Sequence, residues 1–180
     1  LDQYLPYHNA YTHREIPPFV TPDKYYKSLI KFFNYLEKYF KTKIIIAKHP
    51  RSNYKNLKNI FGKRKTISYK KTNDFISKSM AVINYTSTAM SFAIIHSKPL
   101  IFYTSNEINN SHDAYHVNFL SKQLGSVVYN IDKIPIIEKN KSLLKINKYK
   151  YKNYLNRYIR HFKSGNSPNL KKIKDILNYI

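Results

Sequence analysis

An α/β domain, with a parallel sheet covered by helices on both faces, is predicted by two features of this sequence. Short apolar, β-branched runs alternate with segments of helical periodicity, and polar clusters stand directly after two of those runs. Strands buried on both faces read as continuous apolar runs, whereas a sheet with one wet face alternates apolar with polar. A chain of 180 residues suits one domain with a core of its own and is cramped for two.

Residues 1–21 read as the end of a buried strand followed by a long loop bearing Pro and His. That opening, with Leu1 in place of Met, leads us to expect a fragment whose partner domain lies upstream. Thr21-Pro22-Asp23 opens a helix by cap chemistry, with Pro in the first turn. Tyr26, Leu29, Ile30, Phe33, Leu36 and Phe40 recur at helical spacing through about Tyr39. Lys43–Ala47 is a short β-branched run expected to be a fully buried strand, ending at Lys48-His49-Pro50. Residues 51–65 are polar and basic, with one helical turn expected around Tyr54–Phe61. Thr66–Tyr69 is a short strand, Thr72 caps a helix through Ser79, and Met80–Asn84 is a second buried strand. A helix over Ser87–His96, a strand over Pro99–Tyr103, a helix over His112–Leu124 and a strand over Val127–Ile131 follow. The tail from Ser142 to Ile180 reads as two helices separated by Ser164-Gly165-Asn166-Ser167-Pro168. The expected organisation is a sheet domain over 1–141 with basic, aromatic helices over 142–180 packed on it.

Composition excludes several chemistries. Cysteine is absent, so disulfides, thiolate nucleophiles and thiolate metal sites are ruled out, which fits the cytoplasm. No signal peptide is visible in these residues, and no apolar run among them approaches the roughly 18 residues that span a membrane. With Gly only 3, neither a Walker A loop nor a dinucleotide fingerprint can be written. Any phosphate must be held by helix N-termini, hydroxyls and cations. Lys+Arg 32 against Asp+Glu 10 leaves a net charge of +22. A surplus of this size attracts polyanions, whether nucleic acid, anionic lipid headgroups or phosphorylated substrates. The same excess, spread as Lys among Asn, Ile and Tyr, also matches the codon bias of an A+T-rich genome.

Two clusters carry the chemistry. In Lys48-His49-Pro50-Arg51, directly after a strand, Pro50 turns the chain outward and the cations offer charge to an anion. His49 can donate a hydrogen bond to a phosphate or a proton to a departing phosphate oxygen. The plain alternative is a surface His in a basic turn. In Tyr85-Thr86-Ser87-Thr88, between a strand and a helix, hydroxyls and free N–H groups favour an anion, the alternative being a simple N-cap. Both clusters follow buried strands, and ligands of parallel sheets sit at the carboxyl ends of strands. The two should therefore lie on one edge and form a phosphate site.

The order Lys-His-Pro-Arg, a buried strand, Ser87-Thr88, a small-residue helix and Lys98-Pro99-Leu100-Ile101-Phe102 resembles the carboxy-terminal domain of GT-B glycosyltransferases of bacterial surface polysaccharides. It is similar in particular to the sialyltransferase and polysialyltransferase-like groups with His-Pro and Ser-Ser/Thr motifs. Leu1-Asp2-Gln3-Tyr4-Leu5-Pro6 and the Tyr-rich stretch Tyr149–Tyr158 resemble related surface-carbohydrate biosynthesis proteins. The resemblance implies a Rossmann-like half of a GT-B fold, a donor that is usually a CMP-activated acidic sugar, and a glycan or glycolipid acceptor. It implies that His49 contacts the donor phosphate and helps the nucleotide leave, with Ser87 and Thr88 on the same phosphate. Lys48, Pro50, Arg51 and Thr86 complete the expected donor site. Asp2, Gln3 and His8 are candidates to line the cleft. The family places its carboxylate base in an amino-terminal domain, and we do not assign that role to Asp2.

No Asp-x-Asp pattern holds a divalent ion against a diphosphate, so no metal or other cofactor is expected. His112 and His116 have the i, i+4 spacing of a zinc pair but lack a third ligand nearby. His13 is a minor candidate beside His8. Tyr149, Tyr151, Tyr154 and Tyr158 alternate with Lys and Arg, which suits a helix packing its Tyr face on the domain. A peripheral contact with the inner face of the cell membrane and stacking on single-stranded nucleic acid are the other readings, nucleic acid the least favoured.

Overall fold

The computed structural model describes residues 1–8, 18–54, 57, 59–133 and 143–159. After a 3₁₀ turn at Leu5–Tyr7, helix α1 runs over Pro22–Phe40. Strands β1 (Ile46–Ala47) and β2 (Thr66–Ile67) follow, then a 3₁₀ turn at Tyr69–Lys71 leading into α2 (Thr72–Lys78). Next come β3 (Val82–Asn84), α3 (Met90–Ile95), β4 (Leu100–Thr104), α4 (Asn106–Asn109), α5 (Ala114–Leu124) and β5 (Val128–Asn130). Helix α6 (Lys148–Tyr154) continues as a π turn over Leu155–Ile159.

All the strand pairings are parallel: β1 with β2, β3 with β4, and β4 with β5. The first two residues join the two sets. Asp2 N–H donates to the Ala47 carbonyl at 3.0 Å, and the Leu1 nitrogen donates to the Ile83 carbonyl at 2.7 Å. The spatial order is therefore β2, β1, residues 1–2, β3, β4, β5. With residues 1–2 counted as a first strand, this is the 3-2-1-4-5-6 order of doubly wound sheets. Every residue of β4 is buried, and consecutive strand side chains point to opposite faces, so both faces of the sheet are covered. The fold is a mixed α/β, Rossmann-like arrangement, as expected.

Helix α1 covers part of the core with Tyr25, Tyr26, Leu29, Phe32, Phe33 and Leu36. Tyr25 and Phe32 extend the stripe expected from spacing, while Ile30 and Phe40 are only half-buried. The Tyr25 and Tyr103 hydroxyls are hydrogen-bonded at 2.8 Å inside the core, and burial pushes both phenols upward. Thr21 precedes the helix but does not cap it with its side chain. Its hydroxyl and N–H both donate to Glu107, which lies on α4.

Several boundaries differ from the expectation. The Lys43–Ala47 run is not fully buried: Ile46 is, whereas Ile45 is 40% exposed. Strand β2 stops at Ile67, because Ser68 caps the 3₁₀ turn by accepting from Lys70 N–H. Thr72 is inside its helix rather than capping it. Residues 59–63 form turns where a helical turn was expected. Met80 lies outside β3 and is 45% exposed. Helix α4 was not anticipated. Ser105 starts it by accepting from Ile108 N–H at 3.1 Å. Ser105→Ala removes this buried cap and should cost about 1 kcal/mol, read as a lower midpoint in denaturant unfolding.

The described part of the tail packs on the domain. Tyr151 is buried and its hydroxyl donates to the Lys98 carbonyl at 3.0 Å, while Lys150 Nζ donates to the Lys122 carbonyl. Gly125 ends α5 at φ 68°, and a Cβ there would stand 3.3 Å from that of Asn147, the N-cap of α6. The second tail helix and Ser164–Pro168 lie outside the described residues. Among the described residues no helix is long and apolar enough to cross a membrane.

Candidate functional site

The carboxyl ends of residues 1–2, β1 and β3 open into a cleft of about 340 Å³. That volume falls at the low end of the roughly 300–1,000 Å³ typical of small-molecule sites. It lies where the sheet order reverses, because the chain leaves the first strand toward β1 on one side and β3 follows on the other. Such a switch point is where open parallel sheets bind ligands. Lys48, His49 and Pro50 form one wall, Thr86, Ser87 and Thr88 the opposite one, and Asp2 and Gln3 line the floor. The two clusters read from the sequence are thus brought together.

Asp2 organises the first wall. Its Oδ1 accepts from Tyr4 N–H at 2.9 Å, holding Tyr4 in the left-handed region at φ 53°. Its Oδ2 accepts from His49 N–H at 3.3 Å and from the Tyr54 hydroxyl. Burial, and then the Asp2 charge, push the Tyr54 phenol well above its ordinary range, so it remains a donor. Tyr4 in turn donates its hydroxyl to the Asn53 carbonyl at 2.9 Å. A single carboxylate therefore ties the His-Pro turn to the end of the first strand.

The His49 tautomer follows from its neighbours. Arg51 N–H donates to His49 Nδ1 at 3.2 Å, so in the neutral ring the proton sits on Nε2. Ser52 Oγ donates to the His49 carbonyl at 2.7 Å and closes the turn. The His8 ring stands edge-on to His49, with centroids 5.2 Å apart. His49 is lowered from the ordinary histidine value, chiefly by burial and next by the charge of His8; Asp2 opposes this and Arg51 adds to it. Protonation of His49 therefore works against the folded state. Stability from this group is complete above the ordinary pKa of about 6.5 and falls as pH drops through the lowered folded value. An NMR titration of the imidazole should show a midpoint below the ordinary value in the free protein, rising when a phosphate dianion binds beside it.

Arg51 does not take the expected place. Its side chain is exposed and absent from the cleft wall, and its contribution is the backbone N–H that orients His49. His8 touches His49 without lining the cleft.

The second wall also differs from a helix N-terminus. Helix α3 starts at Met90, three residues beyond Ser87. Most N–H groups of the turn are already used: Ser87 N–H donates to Asn84 Oδ1 at 3.2 Å, Ala89 N–H to Ser87 Oγ at 3.3 Å, and Met90 N–H to the Ser87 carbonyl at 3.1 Å. Ser91 N–H is likewise taken by the Thr88 carbonyl. Among the described residues, the donors left on this wall are the N–H and hydroxyl groups of Thr86 and Thr88 and the hydroxyl of Ser87, which accepts from Ala89 N–H and keeps its own proton to donate. Asn84, fully buried at the end of β3, holds the turn through the bond to Ser87 and a contact from its Nδ2 to Met90 Sδ at 3.5 Å. Sequence reasoning passed over Asn84, although a polar residue closing an apolar strand was its signal. It also passed over Tyr69, Thr72 and Phe92, which line the cleft from the 3₁₀ turn, α2 and α3.

His116 lies on α5 with its ring against Tyr115. Among the described residues no three side chains are grouped to hold a metal ion. His13 lies outside the described residues. Comparison of the chain with protein-family models, with curated proteins and with solved structures finds no match.

Proposed function

We propose that this chain is the donor-binding half of a glycosyltransferase acting on bacterial surface polysaccharide, and that its cleft holds the phosphate of a CMP-activated acidic sugar such as sialic acid. The observation that supports this most is the meeting of Lys48 and His49 with the Thr86–Thr88 turn across a cleft at the sheet's switch point.

The phosphate sits between the Lys48 ammonium, the His49 Nε2–H and the hydroxyls of Thr86, Ser87 and Thr88. Ser87 also shapes the turn through its bond from Ala89 N–H, and Pro50 directs the opposite one. These groups stabilise charge that grows on the phosphate as the donor bond breaks. An acceptor hydroxyl oxygen bonds to the anomeric carbon while the electron pair of the carbon–oxygen bond passes to the phosphate. The acceptor proton goes to a base on a partner amino-terminal domain, which also binds the glycan or glycolipid acceptor. Neutral His49 begins as a hydrogen-bond donor, and the arriving phosphate raises its pKa so that it can carry a proton to the leaving oxygen. The reaction so described needs no metal, and its setting is the cytoplasm, with a peripheral contact at the inner membrane surface.

A calorimetric screen of the chain against CMP, CDP, UDP and GDP tests this reading. Selective binding and thermal stabilisation by CMP are expected. Equal or absent responses to all four nucleotides would remove its support. A second reading, a basic module that binds nucleic acid or a membrane surface, draws on α6, where Tyr149 is 74% exposed among lysines. It predicts binding that falls steeply with salt and does not change in Ser87→Ala.

A further inference from the structure

The cleft between Lys48-His49 and the Thr86–Thr88 turn is larger than a phosphate alone requires. Its volume is about 340 Å³, whereas a phosphate group fills only a few times the roughly 30 Å³ share of one water molecule. The remaining space has a lining of another character. Tyr69 enters it from the 3₁₀ turn after β2, Thr72 from the start of α2 and Phe92 from the first turn of α3. A bond of 2.9 Å between Asn73 Oδ1 and His96 Nε2 ties α2 to the end of α3, so the chain itself closes this side. The cleft is thus cationic and hydroxyl-bearing on two walls and aromatic on the side of the two helices.

The Tyr69 side chain has no structural task of its own. The 3₁₀ turn is held by Ser68, whose Oγ accepts from Lys70 N–H at 3.4 Å and whose carbonyl accepts from Lys71 N–H at 3.0 Å. Tyr69 contributes its carbonyl, which accepts from Thr72 N–H. Its side chain is 49% exposed, and among the described residues its ring meets no other ring and its hydroxyl makes no hydrogen bond. Tyr4, Tyr25, Tyr54 and Tyr103, by contrast, are fixed by both kinds of contact. A bare aromatic ring on a cleft wall offers its π-face to a flat ligand. Beside it, Thr72 is buried yet lines the cleft, and its hydroxyl makes no hydrogen bond among the described residues. A polar group so enclosed favours a ligand that supplies its partner.

Given the CMP-activated donor proposed for this cleft, we propose that Tyr69 seats the cytosine ring by stacking, with Phe92 packed on the nucleoside and the Thr72 hydroxyl bonded to it. An anion joined by a short link to a flat, polar ring matches the two kinds of lining. The sugar on the other side of the phosphate must stay open to an acceptor, so the base takes the side that α2 and α3 close. Tyr69 is then a specificity residue, and bond breaking is left to Lys48, His49 and the hydroxyl-bearing turn.

Calorimetry of CMP and of ribose 5-phosphate on wild type, Tyr69→Ala and Tyr69→Phe tests this, because ribose 5-phosphate has the phosphate and the ribose but no base. Tyr69→Ala should weaken CMP by about tenfold or more, the scale of one base stacked on an aromatic side chain. It should leave ribose 5-phosphate binding and the thermal midpoint unchanged, as suits an exposed side chain without bonds. Tyr69→Phe keeps the ring and should keep most of the CMP affinity. Wild-type affinity for CMP in Tyr69→Ala would overturn the base seat and leave the phosphate site standing. Equal weakening of CMP and ribose 5-phosphate would also overturn it, since the ring would then serve the phosphate or the ribose. Failure of wild type to bind CMP would instead remove the donor reading, and the base seat with it.

Discussion

On the proposed glycosyltransferase reading, His49→Ala should lower sugar transfer by about 10²-fold or more once an amino-terminal domain is supplied, the scale of a single acid–base group. The fold around it should survive, because the bonds that shape the turn come from backbone atoms. His49 N–H reaches Asp2, and the His49 carbonyl takes the Ser52 hydroxyl. What is lost is the Nε2–H that the bond from Arg51 N–H holds in place. A hydrogen bond to a charged group contributes about 1.5–3 kcal/mol, so the affinity of this chain for CMP should fall by about tenfold or more. Turnover and CMP calorimetry on wild type and variant check both expectations, with the thermal midpoint as control. Full turnover in His49→Ala would remove His49 from the mechanism.

Asp2→Ala should have the largest effect on stability among the cleft residues, about 2–4 kcal/mol. The carboxylate accepts from Tyr4 N–H, His49 N–H and the Tyr54 hydroxyl, and all three donors lie in partly buried surroundings. Removing it orphans them together and leaves Tyr4 in a left-handed conformation without its local bond. The His-Pro turn would lose its tie to the first strand, so CMP affinity should fall along with the denaturant midpoint. Asp2→Asn keeps two acceptor sites on one oxygen and should recover part of the stability. An Asp2→Ala chain as stable as wild type would show that the network does not hold the turn.

The sheet was readable because its strand β4 is buried on both faces. Leu100–Thr104 admits no polar face, and the helical stripe from Tyr26 to Leu36 could face only such a sheet. The boundaries were less readable, since they depend on side-chain to backbone bonds that compete with regular structure. Ser68, Ser105 and Ser87 each redirect a turn in this way, and only their partners reveal which turn results. Exposure of Ile45 was hidden for another reason: its isoleucine run matches a buried strand, but Ile45 lines a cavity of about 470 Å³. Within the site, His49 and the Thr86–Thr88 turn could be placed on one edge because both follow strands. The reversal of roles at Arg51 could not, because a backbone N–H carries no signature in the side-chain alphabet. Nor could the role of Asp2 as the tie between strand and turn, which needs Tyr4, His49 and Tyr54 in one place.

The most direct measurement of the central claim is an NMR titration of the chain with CMP, followed at the His49 imidazole and at the Thr86 and Thr88 amides. All three sets of signals should move together with one dissociation constant, and the His49 pKa should rise on saturation. Binding of CMP that leaves His49 and the Thr86–Thr88 turn unperturbed would contradict a phosphate site between them.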